Sequence, residues 1–304
     1  LAMVSSPNFD PNTVEEQWSW LTSEENTTQN MMNHATQGTY PPGSTFKLIT
    51  LLEYIRENPD TWQNFHYTCT GTYTNGDYVV NCHDGVAHGE LDIYGILGMS
   101  CNGAFDTIAQ TLNSTKWQKL AEDFGYNQSD RSQVDFPYKK SHFDIASDDS
   151  VWSRMQLAIG QGTTTVTPLL NLMMYAAIAN DGVMMTPYLV DHYLDADGNV
   201  VEQTKPKALR SVCTKAEAEL MDEFLTYVIT NGTAAAGGSQ YARVSGKTGS
   251  AQYDSTKNYH AWFCGYGTND VSEIAVCVMI EKGGAGGIVA APVAGQIFDY
   301  YFSR

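Results

Sequence analysis

Residues 242–253, 258–267 and 272–281 form three short runs rich in Val, Ile, Tyr, Phe and Trp, each bounded by Gly, Asn or Asp. Branched and aromatic side chains suit the pleated, half-buried surface of a sheet, and turn residues at this spacing join neighbours antiparallel. Three sequential antiparallel strands are the reading. Residues 291–302 (APVAGQIFDYYF) follow as a closing helix. A sheet must bury its apolar face, so this ending demands a sheet covered by helices.

The chain opens on LAMVSS, residues 1–6, which reads as a strand followed by a turn at Pro7, Asn8 and Pro11. The long middle is helical in pattern. Residues 44–57 read as a helix entered through Pro41, Pro42 and Gly43. Shorter helices are expected near 90–98, 102–112 and 114–124. Residues 166–180 form a strongly apolar helix with Pro168 near its start and Gly182 past its end. A hairpin is expected at residues 195–198 and a helix over 214–230, where Thr214 and Glu217 form a capping box. The layout implies an α/β protein of the α+β type. An antiparallel sheet, completed by sequence-distant strands and flanked by helices, carries a mostly helical subdomain on one side. With 304 residues, 42% of them hydrophobic, the chain can bury a sizeable core. The expectation is one domain over residues 1–304, its sheet subdomain from about 1–43 and 235–304 and its helical subdomain about 44–234.

The net charge of −17 repels phosphate backbones, so no nucleic-acid partner is expected. The longest apolar stretch, about 169–179, contains Asn171 and is too short to span a bilayer. Six cysteines are present. In HYTCTGTYTNGDYVVNCHD, residues 66–84, apolar and polar residues alternate around Asn75-Gly76, a strong hairpin signal. A two-residue turn there sets Cys69 opposite Cys82 at a non-hydrogen-bonded pair, where side chains come closest. A disulfide between Cys69 and Cys82 is therefore expected, which implies an oxidising location. A zinc site from Cys69, Cys82, His83 and His88 is conceivable, but the spacing fits no common zinc pattern, and no metal is expected. Cys101 and Cys213 give no clear signal, while Cys264 and Cys277 lie on consecutive strands and could face each other.

Three short motifs carry chemistry. In PPGSTFK, Ser44 stands in the first turn of its helix and Lys47 one turn on, on the same face. A serine hydroxyl is a weak nucleophile until its proton is removed. A neutral lysine can remove it, if burial beside Phe46 and a second cation depress its pKa. The helix N-terminus adds positive potential where an oxyanion would form. Ser100-Cys101-Asn102 precedes a helix and offers a hydroxyl relay and an amide that both donates and accepts. Lys247-Thr248-Gly249 sits inside a strand, with a cation and a hydroxyl on a cleft edge and a glycine that lets a substrate backbone lie close. A phosphate-binding loop is excluded there, because the earlier glycine is missing and a strand follows. Each motif alone is commonplace: a serine can simply cap a helix and a lysine can be solvated. In this order, on helix start, helix start and strand, they form the set shared by penicillin-binding proteins and β-lactamases.

Nearly the whole chain resembles the class B penicillin-binding proteins. The entry LAMVSSPNFDPN, the middle CTG…NCHDGVAHG leading to SCN, AIGQGTTTVTPLLNLMMYAAIANDG, and the segment from HAWFCGYG to the end carry the resemblance beside the three motifs. It implies a serine D,D-transpeptidase. Ser44 would attack the carbonyl between two D-alanines of a peptidoglycan stem peptide, with Lys47 as base. Ser100 would pass the proton to the leaving amine, Asn102 would hold the stem-peptide amide, and Lys247 and Thr248, beside Gly249, would bind the terminal carboxylate. The backbone N–H groups of Ser44 and Ser250 would form the oxyanion hole. A second stem-peptide amine would then take the acyl group. β-Lactams, which mimic the D-Ala-D-Ala end, would acylate Ser44. The implied partners are stem peptides, β-lactam antibiotics and further cell-wall synthesis proteins, with no cofactor. The implied place is the extracytoplasmic face of the bacterial cell membrane, with an anchor in the full-length protein.

Two departures stand out. The family's helix and strand ahead of LAMVSS, its pedestal domain and its anchor are missing, so an N-terminally truncated piece is expected. The third motif continues as Ser250-Ala251-Gln252, where Thr and Glu are commoner, which a backbone role at Ser250 tolerates. A β-lactamase needs a base that activates water, and Asp148 and Asp149 are weak candidates for it. A D,D-carboxypeptidase and a non-enzymatic β-lactam sensor fit the same motifs.

Overall fold

A three-stranded antiparallel sheet in the order β11-β10-β9 forms the rigid wall of the molecule. Its strands are β9 (Arg243–Gln252), β10 (Tyr259–Thr268) and β11 (Glu273–Ile280), within a residue of the sequence reading at every end. The computed structural model describes residues 1–128, 134–256 and 258–304. Along β10 the faces alternate. Phe263 packs edge-on against Phe298 of the closing helix α9 (Gly286–Phe302), while the Tyr266 hydroxyl donates to Asp222 of α8 (Lys215–Asn231). Helices thus cover both faces. That is why these strands read as near-continuous apolar runs rather than as alternation.

The helical part holds α1 (Val14–Leu21), α2 (Lys47–Glu57), α3 (Ile93–Gly98), α4 (Asn102–Ala109), α5 (Ser114–Asp123), α6 (Val151–Ala158) and α7 (Pro168–Ala179). Thr167 caps α7 by accepting from the Leu170 N–H, and Pro168 takes the first helical position, where its missing N–H costs nothing. The capping box of Thr214 and Glu217 on α8 is present as expected. Small two-stranded ribbons complete the fold: β1 (His66–Cys69) with β4 (Gly89–Asp92), β2 (Thr72–Asn75) with β3 (Tyr78–Asn81), β5 (Val183–Met185) with β8 (Ala208–Ser211), and β6 (His192–Leu194) with β7 (Val200–Gln203). No helix among the described residues is long and apolar enough to cross a membrane.

Four expectations need correction. Residues 1–6 form no strand; they lie largely exposed, and a strand without a ladder partner has no reason to persist. Among the described residues the main sheet holds its three sequential strands, with no sequence-distant strand added. The closing helix starts at Gly286, five residues earlier than expected. The fourth concerns the hairpin. Asn75 pairs with Tyr78, so the loop is Gly76-Asp77. Only Gly76 takes a positive φ there, 60°, the pattern of a II′ turn in place of the I′ turn that Asn-Gly suggests. The turn moves by one residue and each cross-strand pairing by two, and Cys69 lies on β1 opposite Gly89, not opposite Cys82.

Candidate active site

The first motif does not enter its helix directly. Gly43–Phe46 is a 3-10 turn and Lys47 opens α2. Ser44 is half-buried on that turn, between fully buried neighbours. Three elements hold the turn. The Trp262 indole of β10 donates to the Pro41 carbonyl at 3.0 Å, the Gly43 N–H donates to the Gly160 carbonyl at 2.9 Å, and α7 grips Thr45. Asn171 Nδ2 donates to Thr45 Oγ1 at 3.1 Å and the Tyr175 hydroxyl donates to the Thr45 carbonyl at 2.9 Å. Asn171 is the polar residue that interrupts an apolar helix. A buried amide needs a partner, and that interruption was the one signal that could have pointed to this clamp. Phe46 turns away and stacks on Phe143 with ring centres 4.9 Å apart.

Lys47 is fully buried, and its amine ties the first motif to the second. Nζ donates to the Ser100 carbonyl at 2.7 Å, to Asn102 Oδ1 at 2.7 Å and to Ser100 Oγ at 3.3 Å. The apolar neighbour is Phe105, whose ring centre lies 5.1 Å away, and not Phe46 as expected. Burial lowers the Lys47 pKa from the ordinary lysine value to about 8, against an opposing pull from Cys101, Cys82 and Asp106. Asp106 is itself buried among apolar groups, which raises its carboxyl well above the usual range, with Lys47 pulling the other way.

Ser100 owes its place to the end of α3. The Ser100 N–H donates to Leu97 O at 3.1 Å and the Cys101 N–H to Ile96 O at 2.9 Å. These two bonds are a Schellman turn, whose left-handed residue is ordinarily glycine. Here it is Ser100, with φ 53°. A non-glycine residue held there costs about 1–2 kcal/mol, so the hydroxyl is kept against a local penalty. Asn102 opens α4 next to it, and its Nδ2 donates to Asn81 O at 2.8 Å.

The third motif lies on β9, an outer strand of the sheet, fixed by its register with β10: Lys247 opposite Cys264, Gly249 opposite Trp262, Ser250 opposite Ala261. Lys247 is fully buried and donates to the Thr248 carbonyl at 3.0 Å. Burial first, and then the charge of Lys47, hold its pKa well below the ordinary lysine value. Thr248 Oγ1 shares a 3.1 Å hydrogen bond with Thr233 Oγ1. Gly249 has a different neighbour from the one expected. A Cβ there would stand 2.8 Å from the Pro42 carbonyl and 3.3 Å from Thr45 Cγ2. Its missing side chain makes room for the turn that carries Ser44. Ser250 Oγ accepts from the Gly286 N–H at 3.0 Å, which seats the start of α9.

The structure therefore gathers all three motifs around one amine and one turn. Beside them lies a cluster that sequence reasoning divided wrongly. Cys69, Cys82 and Cys101 are buried free thiols, and His88 is half-buried with them. Cys69 Sγ lies 3.6 Å from Cys82 Sγ and 3.3 Å from His88 Nδ1, and Cys82 Sγ lies 3.9 Å from Cys101 Sγ. His83 is outside the group, its ring edge-on to Tyr259. Cys264 and Cys277 do face each other, their sulphurs 3.1 Å apart.

Comparison with known proteins yields a consistent result. The family model for the penicillin binding protein transpeptidase domain matches residues 1–299. The chain is 27% identical over 311 residues to the peptidoglycan D,D-transpeptidase PbpA of Mycolicibacterium smegmatis, covering 96% of this chain and 62% of that protein. It is 28% identical over 328 residues to the peptidoglycan D,D-transpeptidase MrdA of Acinetobacter baumannii, covering 99% of this chain and 48% of that protein. The chain thus spans about half to two thirds of the length of these relatives. Among solved structures, penicillin-binding protein A from M. tuberculosis as a ceftriaxone acyl-enzyme complex superposes with a TM-score of 0.87 at 25% identity, covering 98% of this chain and 70% of that one. The D,D-transpeptidase domain of a peptidoglycan glycosyltransferase from Eggerthella lenta also gives 0.87, at 26% identity, covering 98% and 73%.

Proposed function

This chain belongs to the penicillin-binding protein transpeptidase domain family, and from that membership we propose that it is a serine D,D-transpeptidase which cross-links peptidoglycan stem peptides through an acyl-enzyme on Ser44. The observation that carries the reading is the buried Lys47 amine, lowered to about 8 and hydrogen-bonded to both Ser100 and Asn102. Around neutral pH a useful fraction of it is neutral, and a neutral amine is a proton acceptor.

Ser44 Oγ attacks the carbonyl between two D-alanines while Lys47 takes the hydroxyl proton. In this structure Lys47 rests on the second motif, and the bond to Ser44 forms as the substrate seats. The N–H groups of Ser44 and Ser250 receive the oxyanion. The Ala251 Cα lies near enough to Gly43 that a Cβ on the glycine would stand 3.1 Å from it, which supports that pairing of backbones. Collapse breaks the C–N bond. The proton returns through Ser100 to the leaving D-alanine amine, leaving an ester on Ser44. The amine of a second stem peptide attacks that ester, forms the cross-link and frees the serine. Lys247 and Thr248 hold the terminal carboxylate, and Asn102 orients the stem-peptide amide. Because β9 is an outer strand, an extended peptide can align along it. A β-lactam ring opens by the same attack and leaves its acyl group on Ser44. The substrate class puts the reaction on the extracytoplasmic face of the membrane, among other cell-wall synthesis proteins. The sheet region and the helical region act as the two walls of one transpeptidase domain.

The test is a donor stem peptide ending in D-Ala-D-Ala, supplied with and without an acceptor amine and followed by mass spectrometry. Cross-linked product in excess of hydrolysis is expected. Hydrolysis alone would make the protein a carboxypeptidase. β-Lactam acylation without turnover of any peptide would make it a sensor, and rapid β-lactam hydrolysis a β-lactamase.

A further inference from the structure

The outer edge of β9 is not open along its whole length. The Tyr253 N–H donates to the Asn258 carbonyl at 3.1 Å, so it points inward, across the hairpin that leads into β10. Successive residues of an antiparallel strand present their N–H and carbonyl groups to opposite sides. Those of Gln252, Ser250 and Thr248 therefore point outward, where an extended chain can pair with them. At Gln252 the place is taken. The half-buried Gln161 lies against it, its amide nitrogen donating to the Gln252 carbonyl at 3.1 Å and its amide oxygen accepting from the Gln252 N–H at 3.2 Å. One side-chain amide thus makes the two bonds that one residue of a neighbouring strand would make. The turn that presents it is fixed on two sides. α6 ends in a Schellman turn, with the Gly160 N–H donating to the Leu157 carbonyl at 3.1 Å and the Gln161 N–H to the Gln156 carbonyl at 2.9 Å. Gly160, with φ 69°, stands so close to the serine turn that a Cβ on it would collide with the Gly43 carbonyl. Gln161 is therefore braced against the turn of Ser44 at its backbone and against β9 at its side chain.

We propose that Gln161 ends the donor groove: only the D-alanine whose carbonyl is attacked pairs with β9, at Ser250, and the chain before it leaves the strand. This deepens the transpeptidase reading and rests on its donor orientation, with the terminal carboxylate at Lys247 and Thr248 and the attacked carbonyl at the Ser250 N–H. In that orientation the donor runs antiparallel to β9. The residue two places before the attacked D-alanine would stand roughly 6.6–6.8 Å further along, opposite Gln252. Gln161 already holds both main-chain groups that residue would use. The site consequently selects its donor by the D-alanine end and the side chain just before it. It takes no main-chain bond from residues further back, and the stem peptide bends away there.

The test compares two donors by D-alanine release. One is 3-phenylpropanoyl-D-Ala-D-Ala, which stops before the residue in question; the other is acetyl-Ala-Phe-D-Ala-D-Ala, which carries it and keeps the same side chain. In the wild type their kcat/KM values should agree within about threefold, less than one added backbone hydrogen bond would give. Gln161→Ala uncovers the N–H and carbonyl of Gln252, and the ratio of the longer donor to the shorter should rise about tenfold, the worth of one to two backbone hydrogen bonds. Gln161→Asn, one methylene too short to reach β9, should give the same rise. A side chain that merely packed the loop would slow both donors alike when removed and leave the ratio where it was. Benzylpenicillin and a penicillin acylated with acetyl-Ala-Phe repeat the comparison through the rate of acylation, without peptide turnover. A rise there with no D-alanine release from either peptide would keep the stop while the transpeptidase reading fell. A wild-type ratio of about tenfold or more, or a ratio unchanged in both variants, would overturn the stop. Absence of acylation by either penicillin would overturn the role of Ser44, and the stop with it.

Discussion

The two sides of the serine are built differently. On the strand side, Lys247, Thr248 and Gly249 are placed by the ladder between β9 and β10, and moving one moves the sheet. On the helical side, Ser100 and Asn102 are placed by a left-handed turn, a buried amine and the Asn81 carbonyl, all supplied by residues far apart in sequence. The strand side gains its order from regular structure that would form whether or not it catalysed anything. Both sides bury a lysine, Lys47 and Lys247, but only the helical side pays for its geometry with backbone strain, at Ser100. Such strain persists where the surroundings over-determine it, and it clusters where function uses it.

The largest break in that comparison comes from Lys47. Lys47→Met keeps the volume and removes the amine that joins the motifs. Acylation by benzylpenicillin, followed by stopped flow, should fall by about 10²–10⁴-fold, with circular dichroism unchanged. A fall under about tenfold would remove the lysine from the base's role. The wild type should show the same amine through pH. With the amine's pKa lowered to about 8, acylation should rise about tenfold per unit below that value and level off above it. The stability consequence has a definite sign. Between about 8 and the unfolded value of 10.5 the unfolded chain holds the proton and the folded one does not. Stability therefore rises with pH across that window, and this contribution is absent below it.

On the strand side, Gly249→Ala should act through the neighbouring turn. The new methyl would press on the Pro42 carbonyl, shift Ser44 and slow acylation by about 10²-fold. The fold should survive at a cost of about 1–3 kcal/mol, measured by urea unfolding. Unchanged acylation would mean that the strand and the serine turn are not coupled.

The smallest effect sharpens the claim of strain. Ser100→Ala and Ser100→Gly both lose the hydroxyl and should slow acylation alike. The glycine variant should be the more stable by about 1 kcal/mol, because φ 53° suits it. Equal stabilities would mean that the turn at Ser100 stores nothing.

The same contrast explains what the sequence made legible. β9, β10 and β11, the capping box at Thr214 and the hairpin at residues 195–198 rest on local pattern, and they appear where pattern puts them. The segments missed have no such pattern. Only Leu21 of α1 is buried, and its Trp18 and Trp20 are exposed, so no apolar stripe marks it. The start of α9 is glycine-rich, ordinarily a breaker. It forms because Gly286 is wedged against the Gly249 and Trp262 carbonyls, which tertiary packing alone decides. Within the site, the residue types of the three motifs were legible, but the grip of Asn171 and Tyr175 on Thr45 was not. The thiol cluster was half-legible. Cys69, Cys82 and His88 stood out by composition, whereas Cys101 joins them only because α4 starts beside the β1–β4 ribbon.

The central claim is that Ser44 becomes acylated, and intact mass measures that most directly. Wild-type protein mixed with benzylpenicillin should gain one penicilloyl mass, and the adduct should map to the peptide bearing Ser44. Ser44→Ala, folded by circular dichroism, should gain none. An adduct that persists in Ser44→Ala, or that maps to another residue in the wild type, would contradict the account.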